Sequence, residues 1–154
     1  MGLGILSGAA AGAAGSTALN AATYVDMIVR GRPASSTPEQ TIEAIDDRTA
    51  GSIPGEGETR DNRVSGIGSL SGIVTGVAVG ALFGVLRQAG VRPHPLLGAA
   101  LTGLTVMAFT DGTMAKLGVS DLRQLGVSDW VADLLPHLTY GAVTWSVLAA
   151  LQDD

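Results

Sequence analysis

Residues 64–86 read VSGIGSLSGIVTGVAVGALFGVL, a run without a charged side chain in which glycine recurs at Gly68, Gly72, Gly76, Gly80 and Gly84. In a water-soluble helix each glycine costs about 1 kcal/mol relative to alanine, so five on one stripe need another source of stability. A bilayer provides one. There the backbone must satisfy its own hydrogen bonds as a helix, and small residues let a second helix approach closely. The stripe follows an inclined ridge of the helix, so a partner lying along it crosses at a steep angle, about −40° for small-residue faces. The first residues repeat the pattern with Gly4, Gly8 and Gly12, followed by Ser16 and Asn20. The two stripes predict helices that pack on one another, or on a second copy of the chain.

The charges outside this run are segregated. Charged residues make up 15% of the 154-residue chain and aromatic residues 4%, against roughly 25% charged in soluble domains. Three other stretches are also free of Asp, Glu, Lys and Arg: 1–25, 95–110 and 134–152, the last closed by Asp153. A hydrocarbon core needs about 20 residues of helix. The pattern predicts an all-α, polytopic integral membrane protein of one domain, with four transmembrane helices in glycine-zipper packing. Their expected bounds are about 3–29, 64–88, 95–116 and 134–152, with a polar cytoplasmic loop over 31–63 and an interfacial segment over 117–133. The third stretch is short before Asp111. Either that carboxylate lies inside the membrane, or the helix is tilted or partly re-entrant.

Within the first connection, Thr37-Pro38-Glu39-Gln40 supplies an N-cap, a proline at the first helical position and a capping-box glutamine, so a short surface helix is expected over about 38–48. The second connection, 88–94, is short enough to predict antiparallel neighbours. The third holds a tandem repeat: Leu117-Gly-Val-Ser-Asp121 returns as Leu125-Gly-Val-Ser-Asp129. Ser120 and Ser128 are its candidate caps. Trp130 is an expected interfacial anchor, and Pro136 is expected to kink or restart the last span. Seven cations (Arg30, Arg32, Arg48, Arg60, Arg63, Lys116 and Arg123) fall in the first and third connections, against Arg87 and Arg92 on the other side. By the positive-inside rule those two connections are cytoplasmic and both termini are outside.

Composition excludes several functions. A net charge of −5 speaks against nucleic acid, and the absence of cysteine removes disulfides, thiolate metal sites and a cysteine nucleophile. No nucleophile elbow, phosphate loop, zinc-protease helix or dinucleotide fingerprint occurs. His94 and His137 fall on opposite membrane faces, so no shared metal site is expected. The expectation is a noncatalytic chain without cofactor or metal, with a retained first helix instead of a signal peptide, because no cation precedes Arg30.

Six polar residues are expected together near the cytoplasmic leaflet: Asn20, Tyr24 and Asp26 on the first helix, Asp111 on the third, and His137 and Tyr140 on the fourth. An ionisable residue in a span costs about 2.5–3.5 kcal/mol on insertion scales and is by default a site hypothesis. Asp111 and His137 could share a proton. The structural alternatives are an Asp26–Arg30 pair, a His137 bond to a carbonyl freed by Pro136, and a helix-ending turn at Asp111-Gly112. The Gly/Ala-rich first helix, the exit Arg32-Pro33 followed by Thr37-Pro38-Glu39, and the closing Pro136-His137-Leu-Thr-Tyr-Gly141 resemble small bacterial inner-membrane proteins of the YagU type. The resemblance implies a bacterial inner-membrane location and a link to acid tolerance, and it carries over no catalytic residue. Two functional expectations follow. One is assembly with itself or a membrane partner in the lipid bilayer. The other is a small transporter or proton-conducting protein using Asp111 and His137.

Overall fold

The structure is a computed structural model, and it describes residues 2–49, 51–121, 123–124 and 126–152. Leu125 of the repeat and the closing Asp153 lie outside the described residues. Five helices follow in order: α1 Gly2–Arg30, α2 Thr37–Arg48, α3 Gly57–Gln88, α4 Pro95–Leu117 and α5 Val127–Gln152. All but α2 are long and apolar enough to cross a membrane. The chain is a multi-pass, all-α membrane protein.

The packing is built on close backbone approach. α1 lies antiparallel between α3 and α5, and α5 lies antiparallel between α1 and α4. A methyl group placed on Gly8 would sit 2.5 Å from the Gly80 carbonyl oxygen, and one on Gly12 would sit 2.5 Å from that of Gly76. Gly4 faces Gly84 in the same register. Only glycine fits such a contact, because any Cβ would push the two backbones apart. α4 meets α5 in the same way: a methyl on Gly103 would lie 2.5 Å from His137 O. Gly98 accepts the Trp145 ring against its backbone.

The α3 stripe divides. Gly76, Gly80 and Gly84 meet α1. Gly68 instead meets α2, where a methyl group in its place would lie 3.2 Å from the Pro38 backbone, and a methyl on Gly72 would meet nothing within 4 Å. The expectation of one continuous packed face therefore fails at Gly72. A stripe of every fourth residue drifts around a helix of period 3.6, so a helix crossing it cannot cover its whole length.

The fully buried side chains include apolar Val64 and Leu148 as well as polar ones. Tyr140, Thr102 and Thr144 are fully buried, while Leu6, Leu70, Val74, Leu82, Leu104, Phe109 and Leu135 stand exposed on the spans. In water this distribution would be unstable, whereas in lipid it needs no compensation.

Several expected bounds shift. α3 starts at Gly57 instead of residue 64, because its charged first turns are held by α2. Arg60 Nη2 donates to Asp46 Oδ2 at 2.9 Å, and Ser65 Oγ donates to Glu39 Oε1 at 2.9 Å. The same Asp46 accepts from the backbone N–H groups of Ser52 and Ile53, at 2.7 and 3.0 Å, which fixes the loop before α3. The cap of α2 lies one residue early, at Ser36, whose Oγ accepts from Gln40 Nε2 at 2.9 Å.

α5 runs unbroken from Val127 through Pro136, so the last part of the expected interfacial stretch, 127–133, belongs to the last helix. His137 Nδ1 lies 2.8 Å from Asp133 O, whereas the carbonyl that Pro136 leaves without an N–H partner is that of Ala132, so the ring does not replace the missing bond as expected. The two repeat copies take different roles. Gly118 adopts a left-handed φ of 75° and ends α4, while the second copy opens α5, with Asp129 Oδ2 accepting from Gly126 N at 2.9 Å. Neither expected serine cap forms. Ser120 lies beyond the end of α4 without starting a helix, and Ser128 falls inside the first turn of α5. α3 and α4 are antiparallel, but α4 packs chiefly on α5, and the short link joins helices that touch little. Glycine contacts decide the neighbours here, and loop length does not.

Candidate functional site: a two-chambered polar cavity

At the end of the bundle that carries α2, residues of α1, α2, α4 and α5 line a cavity of about 490 Å³. Asp111 of α4 and Asp133, Pro136 and His137 of α5 line it, with Arg30 and Arg32 at the exit of α1. Asp133 and His137 are one turn apart and share a helix face. His137 Nδ1 lies 3.2 Å from Asp133 Oδ1 as well as 2.8 Å from Asp133 O. Both neighbours accept, so Nδ1 carries the proton. Asp111 lines the same cavity from α4, across the α4–α5 contact.

A second chamber, of about 140 Å³, lies further along the bundle and opens on its outer face, where Asn20, Ser69, Gly72 and Ile73 are exposed; Leu19 and His137 belong to the walls of both. Its polar lining comes from Ser16 and Asn20 of α1, Ser69 of α3, Thr110 of α4 and Tyr140 of α5. Beyond it the bundle closes. Tyr140 donates its hydroxyl proton to Gly76 O at 2.6 Å, Phe83 stands edge-on to Trp145 with ring centroids 6.5 Å apart, and Leu148 is fully buried.

The six expected cluster residues thus separate. Asp111 and His137 share the outer cavity, and Asn20, His137 and Tyr140 share the inner one. Tyr24 does not join them: it is 58% exposed on the outside of α1. Nor does Asp26, whose carboxylate is taken by Arg32 Nε at 2.5 Å and by Arg30 Nη1 at 3.7 Å. His137 has Asp133 as its direct partner, and not Asp111. Asp133 marks only a helix boundary in the charge pattern, and its i−4 spacing from His137 is the signal that points to it. Thr110 gives no signal beyond its place before Asp111.

Outside the spans, burial works against the Asp46 carboxylate, but the Ile53 N–H, the Arg60 guanidinium and the Ser52 N–H outweigh it and hold its pKa below the ordinary value. This is an anchor for the α2–α3 connection, distant from the cavity. Among the described residues no group of three or more His, Cys, Asp or Glu could hold a metal ion. No family model, characterised protein or solved structure matches the chain.

Proposed function

We propose that this chain is a small transporter of the bacterial inner membrane that takes a proton or a small cationic solute from the cavity at the α2 end. The observation that carries the reading is that Asp111, Asp133 and His137 line one cavity, with His137 also in the wall of the second chamber. Two carboxyls and an imidazole lining one cavity supply groups that can hold and exchange a proton. Ionisable groups at such a depth are costly in a span unless they bind or relay something. The packed side chains beyond Tyr140 favour a carrier, open to one side at a time, over a continuous pore. The cation asymmetry of the connections supports a cytoplasmic position for the cavity end.

Purified chain reconstituted in liposomes, with a pH-sensitive dye inside and an imposed gradient, tests this. Flux should appear with the native chain and fall at least tenfold with Asp111→Asn or with His137→Ala. Protein-free leak rates from a correctly folded native preparation would end the transport reading.

A second reading, noncatalytic assembly with itself or a membrane partner, keeps one specific observation. Gly72 presents an uncovered small residue on the outer side of α3, where another helix could approach closely. Gly4, Gly8, Gly12, Gly76, Gly80 and Gly84 are already used within the chain.

A further inference from the structure

An open groove of about 600 Å³ lies between the first turns of α3 and the loop that leads into them. Ile53 and Pro54 form its loop wall, and Arg63, Gly66, Ile67 and Leu70 its helix wall. The loop wall is held in place. Ile53 N donates to Asp46 Oδ1 at 3.0 Å, and Arg63 Nη1 donates to Pro54 O at 2.6 Å. The helix wall has a gap at Gly66, where a methyl group would meet nothing within 4 Å. Ile67 and Leu70 are 42% and 58% exposed, so both are accessible to an apolar occupant.

The position of the groove decides what that occupant is. Arg63 is the last charge before the uncharged run 64–86, which puts it at the boundary of the hydrocarbon. Leu70 lies about 10 Å further along the helix, inside the hydrocarbon. The groove therefore passes from headgroup level to acyl-chain level, with a guanidinium at the first and apolar side chains at the second. Pro54 O takes one of the five guanidinium N–H groups, and among the described residues Arg63 forms no ion pair. Glu56, Glu58 and Asp61 are exposed on neighbouring turns and do not line the groove. A guanidinium fork matches the oxygens of a phosphate. A free aqueous anion would leave the apolar wall uncovered, whereas a phospholipid meets both parts.

We propose that this groove holds one phospholipid of the leaflet at the α2 end, its phosphate on Arg63 and an acyl chain along Gly66, Ile67 and Leu70. The site is separate from the Asp111–His137 cavity and does not depend on the transport reading.

The test is a thermal-denaturation series on the delipidated full chain in detergent, titrated with dioleoylphosphatidylglycerol or with dioleoylglycerol, which has the same chains and no phosphate. The phospholipid should raise the Tm in a saturating way that dioleoylglycerol does not reproduce. Arg63→Gln should raise the half-saturating concentration at least tenfold. Gly66→Leu fills the space of the acyl chain without touching the loop, and gives the same comparison should the glutamine variant fold poorly. An arginine that only reaches for the interface would lower the lipid-free Tm when replaced, and leave the titration as it was. Equal responses to the two lipids, or saturation unchanged in both variants, would overturn the assignment.

Discussion

Asp46 shows how a single side chain fixes the geometry around the site. It is 4% exposed, it receives two backbone N–H groups and a guanidinium, and it ties α2, the loop after it and the first turn of α3 together. Its pKa is lowered on folding, so its contribution to stability is complete above the ordinary carboxylate value of 3.8 and is lost as the pH falls through the lower folded value. Asp46→Asn should lower the Tm by several degrees at pH 7, and the gap to the native chain should shrink below pH 3.8, as read by circular dichroism in detergent. A gap that stays constant across that range would mean that the charge of Asp46 has no part in the anchor. This residue cannot be singled out from sequence. It is one of several acidic residues in a polar connection, and only the fold brings the N–H groups of Ser52 and Ile53 onto it. Asp111 and His137 are visible because an ionisable group beside an apolar run is conspicuous.

At the scale of the helices, the four spans are legible because gaps in charge and glycine spacing survive any local ambiguity. Their ends are less so. The charged start of α3 depends on Arg60 meeting α2, a contact with no local signal, and α5 begins at Val127, before the charges expected to precede it. The glycine stripes are legible as packing faces, but nothing in their spacing reveals where one helix leaves the other. Gly80 and Gly72 make that distinction measurable. A methyl on Gly80 would lie 2.5 Å from Gly12 Cα and from Gly8 O, two backbone atoms that cannot rotate away. Gly80→Ala should therefore destabilise by about 1–3 kcal/mol despite its helix propensity, as overpacking does. Gly72→Ala meets open space and should be neutral or gain up to about 1 kcal/mol. Detergent melting of both variants checks the signs, and equal effects would contradict the crossing of α1 and α3. If the chain assembles instead of transporting, Gly72→Leu should leave the melting unchanged and reduce the subunit count measured by light scattering.

For the whole molecule, the arrangement of helices creates an asymmetric interior. The α2 end holds the carboxylates and His137 in a cavity of about 490 Å³, the other end holds pockets of about 390 and 510 Å³ beside Gln88, Arg87 and Arg92, and the Phe83–Trp145 and Leu148 packing lies between them. The absence of cysteine from the chain makes this asymmetry directly accessible to thiol chemistry. Thr110→Cys places a thiol in the wall of the inner chamber, and Asp47→Cys on α2 and Gly2→Cys at the opposite end serve as references. Each variant is exposed, in sealed vesicles of both orientations, to a membrane-impermeant thiol reagent. The Thr110→Cys chain should be labelled from the side that labels Asp47→Cys, and be protected from the side that labels Gly2→Cys. Labelling of Thr110→Cys from the Gly2 side, or of both reference variants from one side, would contradict a cavity open only at the α2 end.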